Sequence, residues 1–200
     1  MTRVKEKEYH LPEGMEWKEY AEHVQAFAAL PSAEVVDHKL ARDEWAREVG
    51  QLVLTTYEAG KEVQGRERAE LWYRSFIAFV EQIMSPELPI PDFHRWWYWW
   101  LITENLYLNL SPMGHAKSTI HAIWYPLWRI ICDRNVRVII GSETSTQSSV
   151  RVDACRVQLD SNPLLIAAFG NLNPANVPVE QRLTPREKWI SSEFVVNRTN

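Results

Sequence analysis

The residues best suited to chemistry lie in one run, LYLNLSPMGHAKST, residues 106–119. Leu106, Leu108 and Leu110 alternate as they would on a strand. A loop with Pro112 and Gly114 follows, and Lys117-Ser118 stand where a helix can begin. Strand, tight loop and helix start make a phosphate cradle. The loop amides point inward, a Lys reaches the β- and γ-phosphates of a nucleotide, and the next Ser or Thr binds Mg²⁺. On this pattern Lys117 is the catalytic phosphate ligand. Ser118 is the Mg²⁺ ligand, with Thr119 second. The backbone of Ser111, Pro112, Met113, Gly114, His115 and Ala116 lines the cradle. The spacing G-x-x-x-x-G-K-[ST] puts glycines at 111 and 116. Ser111 and Ala116 stand there instead, so the match is degenerate. An ordinary strand-to-helix turn with an exposed Lys would read the same locally.

The surrounding elements suit such a loop. A helix is expected from about Lys117 to Cys132, kinked or broken at Pro126. VRVIIGS, residues 136–142, reads as a buried strand. Residues 144–160 read as a helix stopped at Asn162-Pro163. Strand, loop, helix, strand, helix argues for a parallel sheet covered by helices. Residues 170–185 look like loop, and a last strand is expected around Trp189 to Asn197. Upstream, apolar spacing predicts helices over 15–30 (Trp17, Tyr20, Val24, Phe27), from Ser32 to Gly60, and from about Arg66 to Met84. SPELPIPDF holds three prolines, Pro86, Pro89 and Pro91, and reads as an extended linker. Asp92 can cap a short helix carrying Trp96, Trp97, Trp99 and Trp100. Three segments result: a helical segment over 1–85, a linker over 86–91, and an α/β segment over 92–200.

Other polar groups carry weaker signals. Ser142, Thr144 and Ser145 follow a strand end, where α/β sheets bind ligands, yet Ser142 or Thr144 can equally cap a helix. Arg151 and Arg156 could meet phosphates or be solvated helix residues. His115 reads as a loop-tip residue. His94, His115 and His121, with Cys132 and Cys155, show no metal-site spacing. Asp153 and Asp160 are not paired for acid–base work.

Composition bounds the rest. The chain has 200 residues, 46% hydrophobic and 24% charged, which suffices for a core and excludes a disordered, collagen-like or rod-like chain. The net charge of −4 makes no whole-chain case for nucleic acid. It divides into −5 over residues 1–85 and +1 over 86–200, where nine of the bases are Arg. Two cysteines form no disulfide framework, and a reducing compartment is the simpler reading. The N-terminus lacks the apolar stretch of a signal peptide, and the run Trp96 to Ile102 is too short to cross a bilayer.

Four segments occur in order: PDFHRWW, NLSPMGHAKST, VRVIIGSETSTQSSVRV and LDSNPLLIAAFGNL. In that order, from Pro91 to Gly170, they resemble the ATPase domain of the large terminase subunit, the DNA-packaging motor of tailed phages. The resemblance implies a P-loop NTPase-type α/β fold, a parallel sheet flanked by helices. The sheet would be incomplete here, preceded by the all-α segment and cut off before the acidic Walker B strand. It implies ATP and Mg²⁺ as cofactors, with Phe93, His94 and Arg95 near the base. The implied partners are double-stranded DNA, the portal protein, the small terminase subunit and further copies in a ring. The setting would be the host cytoplasm, with no membrane, and a nuclease domain is expected beyond this chain.

Two positions depart from the family. Met113 stands where an Arg is usual, which touches nucleotide contact or hydrolysis rate. Ala116 stands where Gly is frequent, and a methyl group is tolerated there if φ is negative. No apolar run followed by paired acids occurs between Gly141 and Asn200, so the chain reads as an N-terminal fragment that is inactive alone. A helicase-type P-loop ATPase and a non-catalytic interaction module with a degenerate nucleotide fold are the alternatives.

Overall fold

The computed structural model describes residues 39–88, 90–176 and 189–196. The expected helix over 15–30 lies outside them, as does the Ser32 start of the next one. All described residues fall within one compact unit, Ser32–Asn200. No described helix is long and apolar enough to cross a membrane.

Helix α1, Lys39–Lys61, buries Trp45, Val49, Val53 and Tyr57. Four-residue spacing sets these on one face. Helix α2, Gly65–Ala78, runs directly into a π-helical turn, Phe79–Met84, and this rod is the helix expected over 66–84. It buries Tyr73, Phe76, Ile77, Val80 and Ile83. Helix α3, Asp92–Thr103, carries the tryptophans. Its N-cap is Pro91 rather than Asp92, and Asp92 sits in the first turn.

The Pro-rich segment joins two parts of one core. Across it, Arg95 of α3 pairs with Glu81 of the π-turn at 2.7 Å. Phe76 meets the edge of Tyr98 with ring centroids 5.0 Å apart.

Beyond the loop, α4 (Lys117–Thr119), a π-turn (Ile120–Trp124) and α5 (Tyr125–Cys132) make one continuous rod. Pro126 therefore does not break it. Pro has no N–H for the carbonyl one turn back. That carbonyl, Ala122, accepts instead from the Cys155 thiol at 3.4 Å. Trp128 of α5 is fully buried and donates to Ser75 Oγ at 3.0 Å, while Ser75 donates to the Val53 carbonyl at 2.7 Å. One hydroxyl thus joins α1, α2 and α5.

Helix α6, Ser145–Ser161, is capped by Thr144, whose hydroxyl accepts from the Gln147 amide. Helix α7, Pro163–Phe169, starts at the Asn162 cap with Pro in its first turn. It crosses α1 so closely that a Cβ on Gly50 would lie 2.5 Å from the Ala168 carbonyl oxygen. Asp160 accepts from Asn173 and from the Trp189 indole, each at 2.9 Å, and ties the C-terminal part to α6.

The strands differ from expectation. The one sheet among the described residues is an antiparallel pair, β1 (Trp189–Ile190) with β2 (Glu193–Phe194). The single strand expected around Trp189 to Asn197 is thus a short hairpin. Segments 107–112 and 136–142, expected as strands, carry neither helix nor strand and have no ladder partner among the described residues. Alternation and β-branching make a segment extended, but a ladder also needs a neighbour on its edge. The parallel sheet expected from the element order is not formed by the described residues.

Candidate functional site

The loop over 111–119 joins residues 106–110 to the rod. Lys117 is the first helical residue, and its side chain curls back so that Nζ donates to the Ser111 carbonyl. The ammonium therefore lies across the loop and not out in solvent. Ser118 is exposed one residue on, at the head of the rod. Gly114 has φ +83°, a conformation that Gly adopts without a Cβ penalty. Met113 is 95% exposed at the tip.

Ala116 corrects the sequence reading. Its φ is +54°, in the left-handed region, so the methyl group is strained rather than tolerated.

Four alternate carbonyls of the loop are each held by a side-chain N–H. Ser111 accepts from Lys117 Nζ. Met113 accepts from His115 Nδ1 at 3.1 Å, and His115 accepts from His94 Nε2 at 2.9 Å. Lys117 accepts from His121 Nδ1 at 2.8 Å. A nest binds anions when successive amides face one hollow, which requires that carbonyls be turned elsewhere. Here side-chain donors hold four of those carbonyls.

These bonds fix the tautomers, because a carbonyl only accepts. His94 carries its proton on Nε2. His121 carries its own on Nδ1, and its Nε2 accepts from Asn109 at 3.4 Å. Burial pushes both imidazoles below the usual histidine range and keeps them neutral near pH 7. Tyr107 stacks on His121 with centroids 5.7 Å apart, and burial raises its phenol to about 12.

Exposure alternates along residues 106–111. Tyr107, Asn109 and Ser111 turn to the rod and its loop. Leu106, Leu108 and Leu110 are 94%, 78% and 86% exposed.

Of the residues expected near a base, Phe93 and His94 reach the loop. The Phe93 ring lies 5.8 Å from that of His115. Arg95 takes another direction, with Nε and a terminal nitrogen on Glu81. Asn109, Tyr107 and His121 support the loop without having been singled out for it. A signal existed: His121 is one helical turn after Lys117, and 107, 109 and 111 share a strand face.

Around the turn after residue 142, Thr144 caps α6 and Ser142 donates to Gln147 at 2.7 Å. Arg156 is held by Asp153 at 2.7 Å and Asp160 at 3.1 Å. Both cysteines are buried thiols, raised well above the usual range by loss of water. Among the described residues no cluster of three His, Cys, Asp or Glu could hold a metal. Away from the loop residues, an open groove of about 490 Å³ runs between α5, residues 136–140, α6 and β2.

No family model, curated protein or solved structure matches this chain.

Proposed function

We propose that residues 111–119 bind the phosphates of ATP, and that the chain is the ATPase part of a DNA-packaging motor of the terminase large-subunit kind. The observation that carries the phosphate site is Lys117, whose ammonium folds back across a loop that opens a helical rod. An ammonium in that position can exchange the Ser111 carbonyl for phosphate oxygens. Ser118 would hold Mg²⁺, which would supply positive charge to the phosphates. The amides of Gly114 to Lys117 would bind the remaining charge. Double-stranded DNA, the portal protein, the small terminase subunit and other copies in a ring follow from the family resemblance alone, as does the host cytoplasm.

Hydrolysis asks for more than binding. A carboxylate must position water, and others must complete the Mg²⁺ shell. Asp153 and Asp160 are engaged by Arg156. Met113 offers no charge at the loop tip, which favours nucleotide binding without turnover as the second reading. On this proposal the chain binds MgATP and turns it over slowly or not at all.

The test is calorimetric titration of MgATP, with steady-state hydrolysis measured with and without duplex DNA, beside Lys117→Ala. Loss of one charged contact should weaken binding by about 1.5–3 kcal/mol, roughly ten- to hundredfold. Equal binding by the variant would remove the phosphate site. Fast turnover that depends on Lys117 would overturn the non-hydrolysing reading and direct attention to Glu143 or Asp153.

A further inference from the structure

Three of the four donors on the loop carbonyls belong to the loop or to the rod it opens. The fourth, His94, comes from α3, twenty-one residues upstream. Helix α3 is embedded in the aromatic core through Trp96, Trp97, Tyr98 and Trp99. The His94 ring is walled by Phe93 and Trp97, with centroids 4.3 Å and 4.9 Å away. The residue is 7% exposed.

Both ring nitrogens are accounted for. Nε2–H is committed to the His115 carbonyl, and Nδ1 is sealed from solvent with no hydrogen-bond partner. Neither nitrogen can reach a ligand lying in the loop. What the ring can do is fix the orientation of the His115–Ala116 peptide. That peptide needs fixing, because Ala116 sits in a strained left-handed conformation that relaxes if the peptide turns over. Turning it would point the His115 carbonyl into the hollow and the Ala116 amide out of it. A carbonyl facing the hollow repels phosphate oxygens.

We infer that His94 is a positioning residue for the phosphate loop: it anchors the His115 carbonyl to the core and so keeps the Ala116 amide facing the anion. The inference rests on the phosphate-site reading for its effect on nucleotide, but its effect on the loop stands apart from it. The geometry asks for one N–H at the place of Nε2. Glutamine carries its amide nitrogen at that reach; asparagine falls short, and leucine has no donor.

The test compares the full chain with His94→Gln, His94→Leu and His94→Asn. Amide hydrogen exchange is followed over residues 110–119, with the stretch around Trp128 as an internal control for folding, and MgATP is titrated in parallel. His94→Leu and His94→Asn should speed exchange in the loop while leaving the Trp128 stretch unchanged. Each should weaken MgATP binding roughly tenfold, the scale of one lost buried hydrogen bond. His94→Gln should restore both. Wild-type exchange in the loop of either donor-less variant would overturn the inference. So would a Gln variant that behaves like Asn, a comparison that also decides the matter if the Leu variant unfolds. If the unaltered chain binds no MgATP, the phosphate-site reading fails, and the exchange measurements still decide whether His94 holds the loop.

Discussion

The aromatic core and the loop region are built on different terms. Around Trp128, Phe76 and Ser75, each group is enclosed by neighbours from several helices, and Tyr57 adds its ring edge to Trp128 at 5.5 Å. Between 106 and 119, by contrast, alternate residues are tied down while three leucines between them face solvent. The core has its partners within the chain. The loop region is ordered from one side only, through side-chain hydrogen bonds to backbone carbonyls. Substitutions should therefore cost most in the first region and least on the open face of the second.

The largest effect is expected at Trp128→Ala. It removes a fully buried ring and the indole donor on Ser75, and large aromatic-to-Ala changes cost about 3–5 kcal/mol. Urea unfolding followed by far-UV dichroism measures this. A loss below about 1 kcal/mol would mean that the core does not pack around Trp128.

Gly50→Ala comes next. The added methyl group meets the Ala168 carbonyl at the α1–α7 crossing, and overpacking of this kind costs about 1–3 kcal/mol. Helix propensity alone predicts the opposite sign, since Ala exceeds Gly by about 1 kcal/mol in a helix interior. The direction of the shift in the unfolding midpoint therefore tells whether the two helices touch here.

Ala116→Gly should stabilise, by no more than about 1 kcal/mol. The left-handed strain of roughly 1–2 kcal/mol is relieved, and the extra chain entropy of Gly offsets part of it. A destabilised variant would show that residue 116 does not hold a positive φ.

The smallest effect belongs to Leu108→Ser. Exposed positions remote from packing change stability within about 0.5 kcal/mol. The visible change should instead be reduced self-association in analytical ultracentrifugation, since exposed apolar surface promotes it. A large loss of stability at this position would erase the contrast between the two faces.

The helices were legible because their signal is local. Trp45, Val49, Val53 and Tyr57 repeat every turn, Asn162-Pro163 caps one helix where another stops, and Lys117-Ser118 begin a helix after a Gly-bearing loop. Each pattern is complete within a few residues, so sequence alone determined where the rods run and where the loop before Lys117 ends. Tertiary structure decided what local spacing does not encode. His94 and Arg95 are adjacent in sequence, but the helix sends one to the loop and the other to Glu81. The φ of Ala116 is set by how the loop joins the rod, not by the preference of Ala. Leu106, Leu108 and Leu110 specify a strand, yet their alternation carries no information on which chain segment lies beside it. A helix closes its hydrogen bonds within itself, whereas a strand edge and a loop carbonyl must find partners across the fold, and only packing supplies them.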